Sequence, residues 1–251
     1  MGIRFIFQDF FAFLKKPHTK PYSGHFSPGD TIRLSLLLAA CLLVIRLVGI
    51  IIEVNGFRPL VLYFSGHELA RQQIDSSIAS LLLGALVMAP LLEEAAYRWG
   101  LRFGPVRTSV SLGLIVFYWL PYGGTYSTTI LRVLDQPGFY LMVAMALVTG
   151  LTTYAILSIS YLKERIGRAW ERNFRVVFYT SALLFGLMHI FNVRDMSWTI
   201  VTLAPLITFQ QIVLGLFNGY VRMRYGIWQA VVQHALFNVL PVAIQLSDRV
   251  L

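Results

Sequence analysis

The chain has 251 residues, of which 57% are hydrophobic and only 13% charged, whereas soluble domains are about 45–50% apolar and 25% charged. This composition excludes an ordinary soluble enzyme and predicts an all-α, polytopic transmembrane helix bundle, with room for about seven spans of roughly 20 residues. The net charge of +9 would indicate a nucleic-acid partner in a soluble protein, but basic inner loops explain it in a membrane protein, so we expect no nucleic-acid partner.

The N-terminal region combines aromatic and basic residues. Residues 3–16 hold five phenylalanines and end in two lysines, a pattern typical of a helix in the membrane interface; a flexible tail is the alternative. Prolines and glycines mark residues 17–30 as a linker. We therefore expect an interfacial segment with its linker at 1–33 and a transmembrane domain at 34–251.

Apolar runs predict spans at 34–53, 76–97, 108–121, 138–161, 176–193, 197–220 and 226–246. With the N-terminus inside, the inner segments hold 15 of the 21 lysines and arginines and the outer segments hold five. The excess of basic residues predicts a cytoplasmic N-terminus. The single cysteine, Cys41, excludes an intrachain disulfide.

Two adjacent carboxylates, Glu93 and Glu94, follow directly on the apolar run 81–92. Inserting a carboxylate at the centre of a membrane helix costs roughly 2.5–3.5 kcal/mol of free energy. We therefore expect each carboxylate either to have a buried partner or to take part in a reaction. Glu94 and Arg98 lie four residues apart and can pair, while Glu93 points about 100° away and is free to face a cavity. Pro90 favours a kink that would open space. The alternative is an interfacial loop that holds both glutamates.

Two later apolar segments each bring a histidine. Phe185 and His189 are one helical turn apart, and Gly186 between them favours close approach of a neighbouring helix or substrate. His234 and Asn238 share a face of the last predicted span, and two hydrogen-bond donors on one ridge would suit an oxyanion. Structural histidines and hydrogen bonds between helices are the alternatives.

Together the three clusters, EEAAYR at 93–98, FGLMH at 185–189 and HALFN at 234–238, resemble the motifs of the CAAX-protease and bacteriocin-processing family of intramembrane proteases, also called CPBP or Abi. The resemblance covers roughly residues 80 to 240. It implies an intramembrane endopeptidase that uses a glutamate-activated water, and an integral protein of the bacterial plasma membrane. The implied partners are the bilayer and a membrane-embedded peptide or lipidated, CAAX-like protein.

The resemblance also implies roles for individual residues. Glu93 would be the general base and His189 would hold or activate the water, while His234 and Asn238 would stabilise the oxyanion. The implied supporting residues are Glu94, Arg98 and Phe185.

The same residues are also compatible with three alternatives to a glutamate-dependent protease. No cofactor is expected for the glutamate mechanism, but Glu93, His189 and His234 could instead ligate zinc. The single His-Glu pair, His67-Glu68, does not continue into an HExxH motif. A non-catalytic membrane scaffold or bacteriocin immunity factor, and a proton-linked transporter, are the remaining alternatives.

Depth in the bilayer raises a conflict, because the predicted spans put Glu93 near the inner face and His189 late in an outward-running helix. Either the helix of Glu93 continues toward Phe103, or the helix of His189 starts later than Arg175. Four further polar residues near this depth are candidates to line a cavity, although hydrogen bonding between helices is favoured for each: Gln210, Gln211, Asn218 and Gln233.

Overall fold

The computed structural model describes residues 3–20, 36, 40–41, 43–45, 47–65, 77–120, 137–193 and 196–250. These residues are predominantly helical and include no extended strand. The predicted all-α class is therefore confirmed. Arg46, the pair His67-Glu68 and most of the predicted linker lie outside the described residues.

The α-helices are α1 (Ile3–Lys15), α2 (Arg58–Ser65), α3 (Ile78–Leu83), α4 (Ala89–Tyr97), α5 (Pro105–Trp119), α6 (Pro137–Ser158), α7 (Ser160–Arg172), α8 (Phe174–Met188), α9 (Trp198–Thr202), α10 (Ala204–Ile207), α11 (Phe209–Arg224) and α12 (Ile227–Val250). π-Helical turns at Glu53–Phe57 and Gly84–Met88 lead into α2 and α4. 3-10 turns follow at Trp99–Leu101 and His189–Asn192.

Five helical stretches in the described part are long and apolar enough to cross a membrane: Leu43–Phe64, Ile78–Leu101, Gly138–Ser158, Phe174–Asn192 and Ile227–Ser247. They support the prediction of an integral membrane protein, and four of them overlap predicted spans closely. The first, Leu43–Phe64, overlaps the second half of the predicted span 34–53, and the residues before it are described only in part. Helix α5 matches the short predicted span at 108–121 but has only 15 residues.

The predicted span at 197–220 is wrong as a single helix. The chain leaves helical geometry at Leu203 and Thr208, where ψ is 2° and 16°. Pro205, in the first turn of α10, has no N–H to continue the preceding helix, and the Thr208 hydroxyl donates to the carbonyl of Ala204 at 2.8 Å. Helix α11 therefore begins separately at Phe209.

Glycines bring α8 and α11 into close contact. A Cβ at Gly186 would lie 2.8 Å from the backbone nitrogen of Ile212, and one at Gly215 would lie 2.8 Å from the carbonyl oxygen of Ala182. Both distances are too short for any larger residue. The close approach predicted at Gly186 is thus with a helix, and it sets where the end of α8 lies in the bundle.

Helix α1 packs on the bundle through one face. Ile6, Phe10 and Phe13 are buried in the same core as α11, and the Phe10 ring lies 4.8 Å from that of Phe217. The phenylalanines on its other face are exposed: Phe5, Phe7 and Phe11. Part of the aromatic surface that we expected to enter the membrane interface therefore contacts protein, and the interfacial position itself stays a prediction.

Asp9 anchors α1 to the end of α11. It accepts hydrogen bonds from Tyr220 Oη at 2.8 Å and Arg224 Nε at 2.9 Å. Burial by itself would raise the pKa of Asp9, but the bonds from Arg224 and Tyr220 outweigh it and hold the pKa below the usual 3.8. A carboxyl with a lowered pKa contributes stability above its unfolded pKa and loses that contribution as the pH falls through its folded pKa.

We expect Asp9→Asn to reduce the free energy of unfolding by about 2 kcal/mol at neutral pH, because hydrogen bonds to charged groups are lost. The difference from the native protein should shrink as the pH falls below about 4. Thermal unfolding of purified protein between pH 3 and 7 measures this. Glu164→Gln, which removes an exposed pair with Arg168, should have little effect at any pH; a pH-independent loss for Asp9→Asn would contradict the electrostatic account.

Candidate functional site

Glu94 lies at the centre of a buried polar network. Its Oε1 accepts hydrogen bonds from Asn218 Nδ2 on α11 and from His234 Nδ1 on α12, both at 2.9 Å. Its Oε2 lies 3.5 Å from Arg98 Nε, and neither of these two side chains is exposed. The ion pair expected from the i, i+4 spacing is therefore present, and it is joined by two partners from other helices.

Glu93 points in a different direction, toward both histidines. Its Oε2 lies 3.9 Å from His189 Nε2 and 3.7 Å from His234 Nε2. The side chains are 11%, 16% and 2% exposed for Glu93, His189 and His234, so the cluster is enclosed without being sealed. Within the described residues, Glu93 Oε2 has no hydrogen-bond donor. The three residues that the sequence predicted to converge thus do so in a confined polar space.

The second ring nitrogen of each histidine is held by an oxygen acceptor. His189 Nδ1 lies 2.8 Å from the carbonyl oxygen of Phe185, and His234 Nδ1 bonds the carboxylate of Glu94. A carbonyl or carboxylate oxygen can only accept, so Nδ1 of both rings must carry a hydrogen. In their neutral forms, both rings therefore present an unprotonated Nε2 toward Glu93.

The Phe185 ring contacts three polar side chains of the site. Its ring meets those of His189 and His234 edge-on, with centroids 4.9 and 5.6 Å apart, and the Arg98 guanidinium carbon lies 3.8 Å from its centroid. Such a guanidinium–aromatic contact stabilises a desolvated cation. The Phe185 ring thus contacts both imidazoles and covers Arg98, while its supporting role in the reaction stays a prediction.

Asn238 donates to the carbonyl oxygen of Ala85 at 2.8 Å. In the π-helical turn, Ala89 N–H bonds the carbonyl of Gly84, five residues back, and the same pattern would pair Ala85 with residue 90. Pro90 has no N–H to donate, so Asn238 supplies the missing hydrogen bond. The backbone irregularity predicted from Pro90 is therefore a π turn stabilised by α12, and one N–H of Asn238 is used for it.

The depth conflict is resolved by the helix that carries Glu93. The helical stretch continues from Ile78 to Leu101, beyond the predicted end at residue 97. Arg98 is thereby drawn into the bundle, where Glu94 neutralises it. The helix of His189 starts at Phe174 and does not begin late, so the first of the two sequence-based solutions applies.

The four further polar residues that were candidates to line a cavity are all buried, and one of them contacts the site. Asn218 is the second donor to Glu94 and thus supports the site directly. The other three are also buried: Gln210, Gln211 and Gln233.

Some neighbours of the site were not anticipated from the sequence. Tyr97 accepts a hydrogen bond from Trp119 Nε1 at 3.0 Å and donates to Met188 Sδ at 3.3 Å, which ties α4 to α5 and α8. Arg222 Nε donates to the carbonyl oxygen of Arg98 at 3.2 Å. Tyr97 lies inside the first motif and Arg222 outside all three, and neither position has a spacing that predicts its partner, so these contacts follow only from the packing of distant helices.

The side chains of the site include donor types that suit a metal ion. Glu93, His189 and His234 are suitable zinc ligands by type, and tetrahedral bonds of about 2.0–2.2 Å would hold ligand atoms roughly 3.3–3.5 Å apart. Across the described ranges, no group of three His, Cys, Asp or Glu residues has the geometry to hold a metal ion. The present side-chain positions therefore do not form a zinc site without adjustment.

Comparison with known proteins identifies a family for this chain. The family model described as type II CAAX prenyl endopeptidase Rce1-like matches residues 75–240, about two thirds of the chain, and this range contains all three motifs. No curated protein and no solved structure matches the chain. The matched range begins just before α3 and leaves out α1 and α2.

Proposed function

The chain belongs to the Rce1-like family of type II CAAX prenyl endopeptidases, and from this membership we propose that it is an intramembrane endopeptidase in which Glu93 activates a water. The substrate would be a membrane-anchored or lipidated protein of CAAX type. The observation that carries the proposal is the position of Glu93 Oε2, within 3.9 Å of two imidazoles and without a hydrogen-bond donor among the described residues.

In the proposed reaction, a water between Glu93 and His189 attacks the carbonyl carbon of the scissile bond. Glu93 accepts the proton of the water as the new C–O bond forms, and His189 Nε2 helps to hold the water as a hydrogen-bond acceptor. When the C–N bond breaks, the proton passes from Glu93 to the leaving amine. Glu94 is not expected to act as the base, because its carboxylate is paired with Arg98 and accepts hydrogen bonds from Asn218 and His234.

Stabilisation of the tetrahedral oxyanion needs hydrogen-bond donors. Because Nδ1 of His234 already donates to Glu94, His234 can donate from Nε2 only when both ring nitrogens carry hydrogens. Asn238 keeps its second N–H for this role, since the first donates to Ala85.

An apolar cavity supports a substrate that carries a lipid group. It has a volume of about 600 Å³ and lies between α4, α5 and α6. Leu92, the residue before Glu93, lines it together with Phe117 and Leu147. A hydrocarbon chain in this cavity would keep the peptide next to it close to the carboxylate.

The proposal is tested with the full chain in proteoliposomes and a peptide that has three residues after a farnesylated cysteine. We expect release of the last three residues, identified by mass spectrometry, and slower release from the peptide without farnesyl. No release from either peptide would contradict a CAAX-type substrate.

Zinc chemistry with the same three side chains is the rival mechanism. For a metal-free glutamate mechanism we expect less than one zinc ion per chain in active protein and unchanged activity after prolonged treatment with a strong chelator. Activity that is lost with the chelator and restored by zinc alone would favour the rival.

A further inference from the structure

Three arginines cluster beside the end of the site and have no role in the proposed reaction. Arg222, in the last turn of α11, is 6% exposed and donates to the carbonyl oxygen of Arg98. Arg102 Nη2 donates to the carbonyl oxygen of Met223 at 3.0 Å, and Arg107 Nη2 donates to that of Phe103 at 3.1 Å. All three guanidinium groups are thus held by backbone carbonyls.

Within the part of the chain that the structure describes, no carboxylate forms an ion pair with these three arginines; the nearest charge of opposite sign acting on Arg222 is that of Glu94, which is paired with Arg98. Four other arginines pair with an acid there: Arg58, Arg98, Arg168 and Arg224. Burial, followed by the charges of Arg102 and Arg107, outweighs the charge of Glu94 and lowers the pKa of Arg222 to about 10, which leaves it charged at neutral pH. Three cations held together without an ion-paired acid form a positive, partly desolvated site, which favours an anion.

The distance between the cluster and Glu93 is similar to the length of the three residues that follow the scissile bond. The Arg98 carbonyl that Arg222 contacts is five residues beyond Glu93, about 7.5 Å along a helix axis. In a substrate of CAAX type, three residues follow the scissile bond. Their extended length is about 10 Å, and they end in a carboxylate.

We infer that Arg102, Arg107 and Arg222 bind the C-terminal carboxylate of the substrate peptide. This inference rests on the proposed function and extends it to the recognition of the leaving tripeptide. A lipid phosphate has a similar charge, but Arg222 is buried and bonded to Arg98, the partner of Glu94, so the cluster is joined to the site. The arginines would position the substrate so that the third bond from its end lies beside Glu93.

The test uses the full chain with Glu93→Gln in nanodiscs of neutral phosphatidylcholine. The probes are two farnesylated peptides that differ only in a free or an amidated C-terminus, and their dissociation constants are compared. We expect the free acid to bind at least about tenfold more tightly. Adding Arg222→Gln or Arg102→Gln should remove this preference with little effect on the amide, and Arg222→Lys should restore part of it.

The matched control is Arg168→Gln, which changes an exposed arginine on α7 and should keep the full preference. Equal binding of acid and amide, or a preference that survives both arginine substitutions, would overturn the inference. So would arginine variants that lose only binding of anionic phosphatidylglycerol added to the nanodiscs. Cleavage by the Glu93→Gln protein would refute the proposed base but leave the acid–amide difference measurable, so the two failures are distinguishable.

Discussion

Replacing Glu93 with glutamine is expected to lower kcat by about 10²–10⁴-fold, the usual contribution of a general base. Glutamine has nearly the same shape, but its amide cannot take a proton from water. The variant should fold normally, since its amide N–H would face the two imidazole Nε2 atoms that lie 3.7 and 3.9 Å from Glu93 Oε2. Single-turnover cleavage of the farnesylated peptide and thermal unfolding of the same preparation measure both properties.

A second variant distinguishes loss of the reaction from loss of the fold. Gly186→Leu should disrupt the fold, because its Cβ alone would meet the backbone of Ile212 at 2.8 Å. A non-catalytic scaffold or immunity factor would keep its cellular phenotype with Glu93→Gln and lose it with Gly186→Leu. Cleavage by folded Glu93→Gln protein at the native rate would rule out Glu93 as the base.

Glu94→Gln is expected to be the more damaging change for stability. It removes the negative partner of a fully buried arginine, a loss that typically costs about 3–5 kcal/mol. It also replaces the carboxylate that accepts from both Asn218 and His234. We expect a large drop in the temperature of unfolding together with reduced activity, because the glutamine amide would place N–H groups against the Arg98 guanidinium and would bind His234 Nδ1 less strongly than the carboxylate does.

A double-mutant cycle distinguishes the ion pair from simple loss of packing. Glu94→Gln combined with Arg98→Met removes both charges and should recover much of the lost stability, since an apolar replacement of a buried pair is often tolerated. Activity should stay low in the double variant, because the second substitution would not restore the negative charge that binds His234 Nδ1. Additive losses of stability would contradict a buried, mutually dependent pair.

Much of the fold was predictable because it depends on properties of single segments. Long apolar runs specify helices that can cross a bilayer, and the stretch from Ile78 to Leu101 was found with a small error in its end. The break at Leu203 and Thr208 was missed, although Pro205 was the available signal. Apolarity continues through this region, so hydropathy alone could not separate three short helices from one span.

The sequence predicted the aromatic helix α1 but not that it packs against α11. Alternating exposed and buried phenylalanines are compatible with either lipid or protein beneath the helix. The bond between Asp9 and Arg224 joins residues more than 200 positions apart, so the docking of α1 depends on the final position of α11.

By itself, the sequence determined the helical membrane architecture, the three motifs and the pairing of Glu94 with Arg98, because helical spacing decides which side chains share a face. Only the tertiary structure decided that His234 Nδ1 binds Glu94 while its Nε2 faces Glu93, and that Asn238 completes the turn before Pro90. These contacts depend on the rotation and depth of each helix relative to the next. Close packing at glycines such as Gly186 sets those quantities, and no spacing within one segment encodes them.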